Sequence, residues 1–377
     1  MYKDLFPTSR EVTYLDTAAE GLPHPDCEKA FQMYSQIKAR GTPGRVQLHK
    51  AEAETLDLAA RLLDTDASNV TFLSSASEAL SLLATSLELK PHDQVIISDL
   101  EFPSNVLPWV RLKQKGIDVV VLPGRGGKLD WEEVAENICS RTRLISLSLV
   151  SYKTGAYLPF VQKISNAAAK VGALVSIDAT QALGRCPVSV EGVDYLMSSS
   201  FKWLLGPHGL AIVYTSPRFR ESLQPAMVGW YSVKNIFSER RFETYELKEG
   251  AARLPVGMPN FPSIFALKRS LEFLLQAGVE DLHRELQPFV SNLRAGLAKL
   301  GLDLLTPAGP EYASGIVAFA HPKAEEIGAA LQKERVIVWG GDGRVRASVH
   351  LYNDAADIDR YLSSLEGILS RQEFSRA

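Results

Sequence analysis

The chain has 377 residues, with 46% hydrophobic, 23% charged and a formal net charge of −3. That balance is ordinary for a soluble globular protein, and the length predicts two domains. It excludes the basic field that nucleic-acid binding needs and a polybasic membrane patch, and no apolar run approaches the ~18 residues of a membrane span.

The opening stretch, MYKDLFPTSREVTYLD, carries charges throughout and lacks the apolar core of a secretion signal. Cys27, Cys139 and Cys186 lie far apart and lack metal-ligand spacing. A reducing cytoplasm is the expected setting. From residue 69 the chain alternates short β-rich runs with helical patterns. NVTFLSS reads as a strand and ASEALSLLATSLEL as a helix. DQVIISD is a strand before the helical NVLPWVRLKQKG, and IDVVVLP a strand before DWEEVAENICSR. TRLISLSLVS and ALVSID are strands flanking the helical PFVQKISNAAAKVG. The strands are rich in Val, Ile and Leu with little polar alternation, as strands covered on both faces are. Repeated β-α units imply an α/β fold: a mostly parallel, doubly wound sheet.

VDYLMSSS and GLAIVYTS follow as two strands that bracket a lysine, Lys202. From about Pro259 the chain reads as a second unit. Two long amphipathic helices (PSIFALKRSLEFLLQAG and DLHRELQPFVSNLRAGLAKLG) precede SGIVAFAH, AEEIGAALQKER, VIVWGG and RVRASVHLY, and a helix closes the chain from Asp354. The expected division is a large domain over 14–256 and a smaller α+β domain over 257–377, joined by residues 1–13.

Ligands of such sheets gather at the C-terminal ends of the parallel strands, and three features fall there. In FLSSASEAL small residues lead from a strand into a helix, whose free N–H groups and dipole suit a phosphate. Helix capping by serine is the plainer explanation. In SIDATQALG, Asp178 ends an apolar strand, where a carboxylate is costly without a partner. It serves equally as a helix cap, with Gln181 three residues on. Lys202 sits in SSSFKWLLGPHG, among small and apolar residues. It is either a lysine snorkelling from a loop or a desolvated amine of lowered pKa, able to form a Schiff base with an aldehyde. Together these are the parts pyridoxal phosphate needs: an anion site, an acid for the ring nitrogen and a lysine.

The order of these parts, with Asp-x-x-Gln followed by Lys after a serine run, resembles the class V aminotransferase family of fold-type I pyridoxal-phosphate enzymes. The resemblance runs from YLDTAAEGLP to VRASVHLYND. It implies that Lys202 holds the cofactor covalently and acts as catalytic base. Asp178 would pair with the pyridine nitrogen and Gln181 with the phenolic oxygen. Ala76 (through its N–H), Ser77 and Ser199 would hold the phosphate. Phe102 stands where the family often stacks a histidine; it can stack but cannot exchange a proton. Arg346 would clamp the substrate carboxylate, with Asn105, Tyr152 and the loop AAEGLP near the substrate. A homodimer is implied, with the aromatic loop MVGWYSVKN (227–235) placed to reach across.

Departures from the family pattern narrow the reading. The interval VIVWGGDGRVRAS holds no cysteine, so a desulfurase that forms a persulfide on its own thiol is not expected. Phe201 and Met258 replace residues that often contact the phosphate, with Arg253 and His208 as candidate substitutes. GRGGK (124–128) lacks the dinucleotide fingerprint, which sets a dehydrogenase aside. The expected activity is transamination of an amino acid, with a C–S or Cβ lyase or an epimerase as the alternative and a degenerate binding protein as a further one. No metal, membrane or nucleic-acid partner is expected.

Overall fold

Among the described residues, 2–371 and 374 of a computed structural model, the strands form three sheets. They are β1 (Thr13–Tyr14), β2 (Val70–Leu73), β3 (Gln94–Ser98), β4 (Asp118–Leu122), β5 (Thr142–Ser148), β6 (Leu174–Asp178), β7 (Tyr195–Ser199), β8 (Ala211–Thr215), β9 (Asp303–Leu304), β10 (Ile316–Ala320), β11 (Val336–Ile337), β12 (Trp339–Gly341) and β13 (Arg344–Ser348). The large sheet has the order β2-β8-β7-β6-β5-β3-β4. Only β8 runs antiparallel to its neighbours, as its pairings with β2 and β7 record; the remaining pairs are parallel.

Helices cover both faces of this sheet. Ile96, Ile145 and Ile177 point into one apolar cluster; Val95, Ile97 and Leu144 point into the other. This alternation explains why the strands read as unbroken apolar runs: every position of β2, β3, β7 and β8 is buried, on one side or the other, while the edge strand β4 buries only Leu122. The helix Phe261–Ala277 also belongs to the first cluster, through Ile264, Phe265, Leu267 and Leu271.

The second sheet, β12-β13-β10-β9, is antiparallel and packs with the helices Val279–Lys299, Ala324–Lys333 and Ala355–Leu369 around its own core. The run VIVWGG divides at Val338. β11 pairs in parallel with β1, while β12 turns to pair with β13. The start of the chain is thereby sewn to its end, and an isolated bridge between Asp16 and Ser348 extends the seam.

Two helices, Cys27–Lys38 and Arg45–Leu62, were not read from the sequence. The first buries only Cys27 and Ala30, so its apolar stripe is too thin to show against its polar residues. NVLPWVRLKQKG is helical only over Leu107–Leu112, then tightens into a 3₁₀ turn that ends at left-handed Gly116. No described helix is long and apolar enough to cross a membrane.

Candidate active site

The C-terminal ends of β2, β5, β6 and β7 converge on a cavity of about 140 Å³. Ala76, Ser77, Phe102, Tyr152, Asp178, Gln181, Ser199 and Lys202 all line it. Ser75, Ser104, Ser148, Val150, Thr180 and Phe201 complete the lining.

β2 delivers the chain into the helix Ala76–Ser86, whose N-cap is Ser75; its hydroxyl accepts from the Glu78 N–H at 3.1 Å. The Glu78 carboxylate turns back to Ser74, accepting from its N–H at 2.7 Å. Capping and anion binding are therefore divided between residues. Ser75 caps, while the N–H groups of Ala76 and Ser77, in the first turn, have no carbonyl partner within the helix. They face the cavity end with the positive pole of the dipole behind them.

Asp178 closes β6. It is 6% exposed, and Oδ1 accepts the Thr180 N–H at 2.9 Å. Burial raises its pKa, while Thr180 and the charge of Lys202 oppose the rise. A buried carboxylate of this kind is stabilised by a cationic partner placed against it. The Gln181 amide donates to the Ala18 carbonyl at 2.9 Å and accepts from the Trp203 indole N–H at 2.7 Å. One amide N–H is left for a ligand. Thr180 also accepts the Ser199 N–H at 3.2 Å, tying the end of β7 to the turn after β6.

Lys202 follows β7. Its Nζ lies 5.5 Å from the Phe102 ring centroid and 5.7 Å from that of Phe201. Burial, then the charge of Arg346, lowers its pKa from 10.5 to about 8; Asp178, Glu20 and Asp16 pull the other way through charge alone. At pH 7.5 roughly a quarter of such amines are neutral, against about one in a thousand for an exposed lysine. The backbone around Lys202 is held as tightly as its side chain. Gly21 donates its N–H to the Phe201 carbonyl at 2.9 Å, and a Cβ on Gly21 would lie 1.9 Å from the Lys202 carbonyl oxygen. Only glycine lets the AAEGLP loop pass there.

Arg346 does not line the cavity. It rises from β13, 4% exposed, and donates from Nη1 to the Tyr152 carbonyl at 2.9 Å. Its guanidinium carbon sits 5.3 Å from the Trp339 ring centroid. Nε is buried with no hydrogen-bond partner. Burial lowers its pKa to about 10. Two neighbours escaped the sequence reading. Asp16 lies 3.9 Å from Nη2 of Arg346, and Arg344, two positions back on β13, stacks on Tyr152 and Trp339 with its own Nε unpaired.

Asn105 requires a correction. The 3₁₀ turn Pro103–Asn105 rotates it into the core, fully buried and off the cavity. Its amide donates to Glu101 at 2.7 Å and accepts from Trp109 at 3.0 Å and Ser146 at 2.6 Å. The substitutes suggested for the phosphate contacts stand elsewhere too. His208 is exposed and stacks on Phe201 at 4.4 Å, while Arg253 donates to the Arg220 carbonyl at 2.8 Å. Met258 is 40% exposed on the surface. Cys27 and Cys186 are buried, Cys139 is half-buried, and none lines the cavity.

Residues 13–361 match the family model described as aminotransferase class-V. The chain belongs to that family. Class-V relatives include a probable cysteine desulfurase of Pyrococcus abyssi, 26% identical over 97% of this chain and 96% of the relative. An uncharacterized aminotransferase of Bacillus subtilis, YcbU, is 27% identical over 93% of both chains. Among solved structures, the apo cysteine desulfurase of Thermococcus onnurineus NA1 superposes with a TM-score of 0.90 at 24% identity, covering 97% of this chain and 96% of the other. The cystine C–S lyase C-DES, described in complex with its product cysteine persulfide, gives 0.88 at 21% identity, over 96% of this chain and 99% of the other. The protein is a pyridoxal-phosphate-dependent enzyme of the class-V fold. Its cavity fits that cofactor: a helix N-terminus with free N–H groups, a buried carboxylate in need of a cation, and a desolvated lysine under an aromatic ring.

Proposed function

We propose that the enzyme transforms an α-amino acid by breaking a bond at Cα, with transamination as its reaction. Supporting this is the convergence on one cavity of a partly neutral amine, a buried acid and a helix N-terminus, with a buried arginine beside it. Lys202 would hold the cofactor, Asp178 its ring nitrogen, Gln181 its phenolic oxygen, and Ala76, Ser77 and Ser199 its phosphate. When bound, pyridoxal phosphate supplies the electron sink for the pair released at Cα.

The chain's own groups do the rest. Arg346 binds the substrate carboxylate and so orients the bonds at Cα. Phe102 and Tyr152, edge to face with centroids 5.1 Å apart, wall the cavity with apolar surface and exclude water. Phe102 holds no titratable proton, which leaves Lys202 as the base in reach of Cα. Its lowered pKa suits it to take a proton and return it near neutral pH.

A second reading, Cβ–S bond lysis, is favoured by the desulfurase relatives and by the cavity's apolar wall of Phe102, Val150, Tyr152 and Phe201, which suits a sulfur-containing side chain. With no thiol at the cavity, such lysis would release sulfur to a small molecule. Exposure of the purified enzyme to a panel of amino acids, followed by visible spectroscopy and product analysis, separates the two. Conversion of the cofactor to its amine form with release of a keto acid supports transamination; pyruvate with released persulfide or sulfide, and an unchanged cofactor, supports lysis. Failure of both with every α-amino acid sinks the reading.

We further place the enzyme in the cytoplasm as a homodimer. An apolar groove of about 420 Å³ adjoins the cavity and shares Ser77, Phe102 and Ser104 with it. Leu107 on its rim is 64% exposed, and Trp230 in the 227–235 loop is 50% exposed. A second copy laid over these residues would bury them and close the phosphate end of the site. Sedimentation of the purified protein as a monomer would overturn this.

A further inference from the structure

Asp16 holds an unusual position for a carboxylate. It is 16% exposed, follows β1 and bridges to Ser348 of β13. Oδ1 is buried with no hydrogen-bond partner, and the nearest cationic atom, Nη2 of Arg346, stands 3.9 Å away. Arg346 has a buried, unpaired Nε of its own. Two opposite charges are thus held side by side, each short of the hydrogen bonds that would normally accompany burial. A structural ion pair closes to hydrogen-bond distance; this one leaves the guanidinium with a free donor.

We propose that Asp16 is a placeholder anion for Arg346: it balances the guanidinium in the substrate-free enzyme and takes up a proton from solvent when a substrate carboxylate arrives. The inference rests on Arg346 being the carboxylate clamp. The physical reason is charge balance. One guanidinium with two carboxylates leaves an unpaired negative charge in a poorly solvated place, and the cheaper course is to neutralise one. Asp16 is the one able to yield. The other groups that act on it are Lys202 after β7, Glu20 and Tyr14 on its own segment, and Tyr352 beyond β13. Burial already lifts its pKa from 3.8 to about 6, while Arg346 and Lys202 oppose the rise. A second carboxylate at Arg346 removes the larger of those opposing charges. The proton ends on an Asp16 oxygen, and no other bond forms or breaks.

The role is one of positioning and charge, so its test is binding rather than turnover. Propionate carries the carboxylate without an amine and does not react. Its binding to the cofactor-loaded enzyme is measured by calorimetry from pH 6 to 8.5, in two buffers of different ionisation enthalpy. Cofactor absorbance is recorded alongside, so that protons taken up there are subtracted. The expected wild-type result is net proton uptake and an affinity that falls by up to about tenfold per pH unit above pH 7. Asp16→Asn should abolish the Asp16 share of the uptake, flatten the profile and bind propionate up to about thirtyfold tighter at pH 7.5. No proton uptake by the wild-type enzyme beyond the cofactor's share overturns the inference, with no variant needed. So does weaker binding by Asp16→Asn with the pH slope intact, the mark of a purely structural carboxylate. If Arg346→Lys and Arg346→Ala both bind propionate like the wild type, the clamp reading fails, and the Asp16 inference falls with it.

Discussion

The large-sheet wall of the site and the small-sheet wall are built on opposite terms. On the large sheet the polar cluster around Glu101, beside the cavity, is met by the protein itself. Glu101 is the extreme case: one oxygen accepts from Ser98 at 2.8 Å and the Ser148 N–H at 3.0 Å, the other from Asn105 at 2.7 Å and the Ser148 hydroxyl at 2.5 Å. On the small-sheet side Nε of Arg344, Nε of Arg346 and Oδ1 of Asp16 are buried without partners. A buried polar group left unpaired costs about 1–3 kcal/mol. The Glu101 side of the first wall is finished at folding. On the proposed reading the second keeps that cost until a substrate carboxylate meets the guanidinium of Arg346, so that binding energy is reserved for the substrate.

Breaking each wall should therefore give a different signature. The largest effect belongs to Lys202, which serves both. Lys202→Ala should lower turnover by roughly 10²–10⁴-fold and remove the borohydride-reducible adduct, read by mass spectrometry of the peptide holding residue 202. An adduct that persists in the variant would refute the assignment. Arg346→Ala should act on substrate recognition, with KM for carboxylate substrates rising about thirtyfold or more and the fold unchanged by circular dichroism. Arg346→Lys should recover little of this, because the two-pronged geometry is lost.

Glu101→Gln tests the finished wall. It puts an amide where four donors converge, and urea unfolding should show a loss of about 1–3 kcal/mol. A change in KM without a change in stability would contradict the comparison. The pH dependence of Lys202 in the cofactor-free protein sharpens it further. Between pH 8 and 10.5 the unfolded chain holds the lysine proton and the folded chain has released it, so stability should rise with pH across that window. Below pH 8 both states are protonated and the full penalty of the buried charge is present. Chemical denaturation of cofactor-free wild type and Lys202→Met at pH 7.5 and 10 reads the difference: the gap in stability between them should narrow at pH 10. The smallest effect is expected at the thiols. Cys139→Ser should leave turnover within about twofold, and a larger loss would return a protein thiol to the reaction.

How much of this was legible in the sequence follows the same division. Lys202, Asp178 and Gln181 stand out because they interrupt apolar strands or their ends, where an unpaired polar group is costly. The doubly covered sheet was legible for the same reason. Asp16 and Arg344 were not, since their meaning lies in pairings between β1, β11 and β13 that no local pattern announces. Asn105 misled through proximity: three residues from Phe102, it is turned inward by a single 3₁₀ turn. Serine capping and anion binding stand as alternatives in the sequence, whereas Ser75 caps and leaves Ser77 open. The helices Cys27–Lys38 and Arg45–Leu62 stayed hidden because tertiary packing, rather than a strong apolar stripe, holds them.

The seam between β1 and β11 also sets an order of events during synthesis. Residues 13–16 are made well before their strand partner at 336–337 and their bridge at Ser348. The large sheet has all its strands by residue 215 and can settle while the rest is still being made. The 13–16 segment must wait unpaired until those partners are made, and the charge pair at Asp16 and Arg346 forms after the large sheet. A nascent chain would thus hold the cavity of Asp178 and Lys202 well before Arg346 stands beside it, so the proposed carboxylate clamp joins the site only after β13 has been made.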